Sequence, residues 1–99
     1  MARKLRRSSG NLFRDLGFPA EEAENLRIRS ELMARLSLLI EAEEWTQSEA
    51  AQLLGVSQPR VSALVRGKID LFSIDTLVKM LSRVGLRVTV TARPRKRLA

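Results

Sequence analysis

The chain of 99 residues contains no cysteine, no histidine and no tyrosine. Without cysteine it can form neither a disulfide nor a thiolate zinc site, which is typical of cytosolic proteins, and we expect a cytoplasmic location. The three absences also remove the side chains that most often act as nucleophiles or as general acids and bases. Glutamates remain, but no glycine-rich phosphate loop accompanies them. An enzyme is therefore disfavoured, and we expect no metal and no cofactor.

Long apolar runs are missing as well. No stretch approaches the roughly 20 residues that a membrane-spanning helix needs. The start of the chain, MARKLRRSSG, is basic but lacks the apolar segment of a secretory signal. We expect no membrane partner, and a composition that is 44% hydrophobic predicts one small domain with a modest core.

Charge is present in excess and is unevenly distributed. The net charge is +7; residues 21–50 carry eight Glu and three Arg, whereas residues 51–99 carry ten Lys and Arg and two Asp. A basic half favours a polyanionic partner, because binding releases counterions. Taken alone, the basic excess could equally serve solubility.

One segment, TQSEAAQLLGVSQPRVSALVRG, predicts two short helices joined by a tight turn. Thr46 and Glu49 have the spacing of a capping box at the start of the first helix. Gly55 can end that helix in a left-handed conformation that a Cβ would penalise. Ser57 is a natural cap for the second helix, with Pro59 in its first turn.

The two helices of this motif each have an apolar side. On the buried side we place Leu53, Leu54, Val61, Leu64 and Val65, and on the other side of the second helix Gln58, Arg60, Ser62, Ala63 and Arg66. A capped helix with a polar, basic outer side is suited to the major groove of DNA. An unrelated helical hairpin is the alternative, but the combination of small residues, glycine corner and apolar spacing favours a helix-turn-helix.

Helices are also predicted on both sides of the motif. An amphipathic helix from about Ala20 to Glu43 precedes it, with Trp45 as a core anchor before the capping box. After a linker from Lys68 to Phe72, Ser73 caps a further helix that ends at Gly85. The core sides of these two helices are predicted to carry Leu26, Leu32, Met33, Leu36, Leu39, Ile40, Ile74, Leu77, Val78 and Leu81.

Beyond Gly85 the apolar period changes to two. Leu86, Val88 and Val90 alternate with arginine and threonine, which predicts a β-strand that ends at Pro94. A lone strand needs a partner for its N–H and C=O groups. We expect it to pair with the same strand of a second copy across a two-fold axis, while joining the sheet edge of another protein is the alternative.

Three regions follow from this division of the chain. Residues 1–19 are expected to form a flexible basic arm that contains a short apolar segment. Residues 20–93 are expected to form the DNA-binding and dimerisation domain, and residues 94–99 a basic tail.

The motif resembles the helix-turn-helix of the XRE family, which includes phage lambda Cro and repressor proteins. The flanking stretches NLFRDLGF and DLFSIDTLVKMLSRVGLRVTVTARP are similar to HigA-like antitoxins of type II toxin–antitoxin modules, so that the resemblance covers residues 11–94. It implies a mainly α fold: a lambda-repressor-like helix-turn-helix bundle of about four to five helices, with one C-terminal β-strand that pairs across a dimer.

The resemblance also implies roles at double-stranded operator DNA. Gln47 would hold a phosphate, Gln58 would read a base edge, most simply adenine, and the methyl group of Ala63 could touch a thymine. Pro59 departs from phage repressors that have a second glutamine there, so direct reading would rest largely on Gln58 and Arg60. The implied DNA-binding set is Gln47, Ser57, Gln58, Arg60, Ser62, Ala63, Arg66 and Lys68.

A second implied partner is a RelE-like or HigB-like ribonuclease toxin. Such antitoxins neutralise the toxin and, as dimers, repress their own operon. The candidate toxin-binding residues are Leu12, Phe13, Leu16 and Phe18, and the alternative is that they pack on the next helix and complete a small core. A stand-alone XRE-type regulator without a toxin, and a pure protein-interaction adaptor, are the competing functions.

Overall fold

The computed structural model describes residues 11–94, and the predictions for residues 1–10 and 95–99 lie outside it. The described chain is helical, which confirms the predicted mainly α bundle. Its elements are α1 (Leu12–Asp15), α2 (Ala20–Ala42), α3 (Gln47–Leu54), α4 (Gln58–Val65), a 3-10 turn (Ile69–Leu71) and α5 (Ile74–Arg83). No helix in this described part is long and apolar enough to cross a membrane.

The 23-residue helix α2 is the scaffold on which the other elements pack. Its buried face, formed by Ala23, Leu26, Met33, Leu36 and Ile40, follows the helical period. The helix ends with Glu44 in a left-handed conformation (φ 56°), and the Trp45 N–H donates to the Ile40 carbonyl over 3.1 Å. This reversal brings the Trp45 ring onto the core, as expected.

The core lies where α2, α3, α4 and α5 converge. Its largest fully buried side chains are Phe72, Leu36, Leu54, Leu64, Leu77, Met80, Leu81 and Val61. Two residues predicted to face inward, Leu53 and Val65, are exposed instead. In a helix of only two turns, the neighbouring helices determine which of two adjacent leucines is buried. In α3 the buried leucine is Leu54, which lies on the same face as Ala50 and Ala51.

The corner between α3 and α4 depends on glycine for two reasons. Gly55 has a φ of 74°, a conformation that a side chain disfavours. A Cβ at this position would also lie 2.5 Å from Nε of Arg83, which donates to the Leu53 carbonyl over 3.4 Å. The conformation of this corner is therefore stabilised by Arg83 of α5 as well as by the turn itself.

The predicted C-terminal β-strand is wrong for the described chain. Residues 86–94 have no regular secondary structure, because no second strand is available within residues 11–94 to pair with them. The alternation itself is real: Leu86 and Val88 are half-buried against the core, whereas Arg87 and Thr89 are exposed. Val90, the third residue of the proposed dimer strand, is 84% exposed.

Candidate nucleic-acid interface

Local capping sets the geometry of α3 and α4. The Thr46 hydroxyl accepts from the Glu49 N–H (3.0 Å), and the Glu49 carboxylate accepts from the Thr46 N–H (2.8 Å), which completes the predicted capping box. The Ser57 hydroxyl accepts from the Arg60 N–H over 3.4 Å at the start of α4. Because side chains within the motif cap both starts, α3 and α4 each begin at a defined residue.

The angular positions along α4 show which side is free. At about 100° per residue, Val61, Leu64, Arg60 and Ala63 occupy one arc of the helix, and Gln58, Pro59, Ser62, Val65 and Arg66 occupy the opposite arc. Burial agrees with this division: Val61, Ala63 and Leu64 are buried, whereas Gln58, Val65 and Arg66 are exposed. We call Gln58, Ser62, Val65 and Arg66 the outer face of α4.

The DNA contact expected of Ala63 stays a prediction that the structure does not favour. Its side chain is only 5% exposed and belongs to the core cluster, because the buried arc of α4 lies further toward Ala63 than the stripe that the apolar spacing predicts. Val65, which the spacing predicts on the buried side, is 41% exposed instead. Alanine is small enough to lie on either the buried or the exposed side of a helix, so the residue type alone does not predict the side.

The remaining predicted DNA-binding residues lie at or near the surface. Gln47 is the first residue of α3, and it is exposed, as are Ser57, Gln58, Arg66 and Lys68, while Ser62 is half-buried. The Arg66 Nε–H donates to the Ser62 carbonyl over 3.3 Å, which holds the guanidinium along the outer face. The helix itself has no acidic residue. The outer face of α4 thus carries an amide, a hydroxyl and a cationic group, from Gln58, Ser62 and Arg66.

Arg60 is half-buried and is engaged within the protein. Its guanidinium carbon lies 4.5 Å from the centroid of the Phe72 ring, and its Nη1–H donates to the Leu71 carbonyl over 2.9 Å. The side chain therefore points away from the outer face and toward the connection between α4 and α5. The base or phosphate contact predicted for it stays a prediction that this geometry does not favour.

Phe72 was not recognised as a core residue from the sequence, where it closes a short linker. It is 1% exposed and is the largest of the fully buried side chains. Apolar residues at three positions of that five-residue linker, Ile69, Leu71 and Phe72, were the available signal. Such a density of apolar side chains between two caps indicates a segment that packs rather than a loop in solvent.

The N-terminal apolar segment divides into two pairs. Phe13 and Phe18 are half-buried, and their rings form an edge-to-face pair with centroids 6.1 Å apart. Leu12 and Leu16, one turn apart, are each 65% exposed. The Asn11 side-chain amide donates to the Ala23 carbonyl over 3.2 Å, which ties α1 to α2.

Comparison with known proteins places this arrangement in a family. A family model described as a helix-turn-helix domain matches residues 12–93. The chain belongs to this helix-turn-helix family. The matched range includes the capped motif, the Phe72 segment and the half-buried Leu86 and Val88, so that the whole described core is part of the helix-turn-helix domain. The predicted family membership is confirmed.

Two relatives of this helix-turn-helix chain bear on function. HigA2 of Mycobacterium tuberculosis, a protein named as an antitoxin, is 35% identical over 75 residues, which are 75% of this chain and 74% of that protein. A solved structure named as an XRE family transcriptional regulator superposes with a TM-score of 0.67 and 31% identity. That match covers 79% of this chain and 90% of the other.

Proposed function

We propose that this protein is a sequence-specific transcriptional regulator that inserts α4 into the major groove of operator DNA. The observation that carries the proposal is the outer face of α4, which is polar and basic. The N-caps of α3 and α4 and the glycine turn between them fix the local structure that presents this face. The width of the major groove admits one α-helix, and a helix can read bases only through residues that its own fold leaves uncovered. The similarity to an XRE family regulator supports the same function.

Individual residues take different roles in this proposal. Gln58, exposed in the first turn of α4, is placed to pair with a base edge, and an amide side chain suits adenine. Arg66 and Lys68 lie at and beyond the end of the same helix and would contact phosphates, as would Gln47 at the start of α3. Phosphate contacts would position the helix, and Gln58 would supply sequence preference.

Binding to duplex DNA should weaken steeply with salt. We expect the logarithm of the association constant to fall linearly with the logarithm of the salt concentration, with a slope of about −0.9 for each phosphate neutralised. Arg66→Gln and Lys68→Gln should each reduce the steepness by about 0.9. Fluorescence anisotropy with a labelled duplex measures both quantities.

Lys79→Gln provides the matched control, because Lys79 is an exposed cation on α5 whose ammonium lies 3.4 Å from the Asp75 carboxylate. It should leave the slope unchanged. An affinity that does not respond to salt would contradict DNA binding and favour a protein-interaction adaptor.

The finer part of the proposal is that the regulator is the antitoxin of a type II toxin–antitoxin module. It would repress its own operon and neutralise a RelE-like or HigB-like ribonuclease toxin. Similarity to HigA2 supports this assignment. Leu12 and Leu16 support it as well, because they expose apolar surface on α1 that the fold itself does not use. A stand-alone XRE-type regulator is the alternative function.

The toxin-binding surface can be tested with the double variant Leu12→Ser, Leu16→Ser. It should fail to relieve the growth arrest caused by a RelE-like or HigB-like ribonuclease encoded beside this gene, while its affinity for DNA is retained. Leu38→Ser is the control, since Leu38 is 58% exposed on α2, outside α1. Full neutralisation by the double variant would exclude this surface, and the absence of a toxin gene beside this one would leave the stand-alone regulator.

A homodimer completes the proposal. Two copies related by a two-fold axis would place two α4 helices about 34 Å apart, which is one turn of DNA, and would match a palindromic operator. The exposed apolar side chain of Val90 offers surface for such an association.

A further inference from the structure

We propose that Arg60, although it lies on the helix that enters DNA, is a positioning residue that stays stacked on Phe72 when DNA is bound. This inference rests on the proposed function, since it states which residue of α4 does not read the operator. Arg60 lies on the buried arc of α4, between Ala63 and Leu64 in angle around the helix axis.

The guanidinium of Arg60 makes two contacts at once. Its carbon lies over the Phe72 ring, 4.5 Å from the ring centroid, and its Nη1–H donates to the Leu71 carbonyl over 2.9 Å. A planar, delocalised cation can make both contacts at once, whereas the point charge of a lysine cannot. Reaching a phosphate would break both.

A second arginine also binds the backbone of the segment that Arg60 contacts. Arg29 of α2 donates from Nη1 to the carbonyls of Ile69 (3.1 Å) and Phe72 (3.4 Å), and its Nε donates to Asn25 over 2.7 Å. We call residues 69–72, held in this way, the clamped segment. Because Arg29 fixes this segment to the scaffold helix and Arg60 fixes α4 to the segment, Arg60 sets the orientation of α4 relative to α2.

A spectroscopic experiment decides whether Arg60 stays in place. In the free protein, the Nε–H resonance of Arg60 should be shifted upfield by the Phe72 ring, and Phe72→Leu should abolish the shift. The probe for the bound state is a duplex that the protein itself selects from a random-sequence library. We expect the shifted resonance to persist in that complex. Its return to an ordinary position on binding would overturn the proposal.

Affinity measurements provide an independent test. Arg60→Lys and Arg60→Gln should weaken binding to the selected duplex to the same extent, by about three- to tenfold, with an unchanged salt slope. Arg66→Gln is the comparison, since it should reduce the steepness of the slope by about 0.9. Parent-like affinity of Arg60→Lys, together with a reduced slope for Arg60→Gln, would show that Arg60 contacts a phosphate.

The two proposals fail in different ways. If the parent protein binds no duplex DNA, the proposed function is wrong, while the resonance of the free protein still reports whether Arg60 is stacked. If the parent binds with a steep salt dependence but Arg60 leaves Phe72, only the positioning role is wrong. Thermal melting of the Arg60 variants, whose substitution removes no core side chain, checks that they are folded.

Discussion

Replacing Leu36 by alanine should lower the free energy of unfolding by about 2–5 kcal/mol. Leu36 is completely buried in the second half of α2 and belongs to the core shared by the helices that build the motif. Truncation would remove apolar contacts and leave a cavity that the long, rigid α2 cannot fill by moving. For a domain of this size, such a loss is a large share of the total stability.

Leu38→Ala is the matched control, because it makes the same chemical change two residues further along the same helix. Leu38 is 58% exposed, so its truncation should change stability by no more than about 0.5 kcal/mol. Urea denaturation followed by circular dichroism measures both variants. Similar losses for the two variants would mean that α2 presents a different face to the core.

Replacing Gln58 by alanine should weaken operator binding by about 1–3 kcal/mol and relax the preference for one base pair. With Ala63 buried and Arg60 held by the clamped segment, Gln58 is the long polar side chain left in the first turn of α4. An alanine cannot form the paired hydrogen bonds that distinguish adenine from the other bases. Binding to a panel of duplexes that differ at single positions measures both effects.

Gln52→Ala is the control for this experiment. Gln52 is an exposed glutamine of α3, so its loss removes the same functional group outside α4. Its affinity and base preference should match those of the parent. A footprint and base preference of Gln58→Ala that equal those of the parent would show that another residue reads the operator.

The capped motif could be predicted from the sequence because its determinants are local. The Thr46–Glu49 box, the left-handed Gly55 and the Ser57 cap each act within a few residues, and all three occur in the structure as expected. Helical periodicity likewise identified most of the buried face of α2. Such features need no knowledge of what packs from elsewhere.

The faces of the short helices were predicted less well. Ala63, Leu53 and Val65 were assigned to the wrong sides, because two turns of helix contain too few residues to define a stripe. Which side is covered depends on α2 and on the clamped segment. The hydrogen bond from Arg60 of α4 to Leu71 of that segment, for example, joins residues 11 positions apart. The spacing of apolar residues within one helix carries no information about contacts with other segments.

The C-terminal segment shows a different limit. Alternating apolar residues correctly indicated that Leu86 and Val88 face one way and Arg87 the other. Alternation describes the direction of side chains, but a strand also needs a neighbouring backbone with free hydrogen-bonding groups. Within the described residues, Leu86 and Val88 pack against the core, but their backbone has no second strand to pair with.

The clamped segment also limits how this protein could acquire a new operator. Surface connections usually accept inserted residues, since little depends on their length. Here the connection from α4 to α5 acts as a spacer of set length, because both Arg29 and Arg60 donate hydrogen bonds to its backbone carbonyls. Divergence toward other DNA sequences should therefore proceed by exchanging side chains at Gln58 and its exposed neighbours, while the length of this connection is preserved.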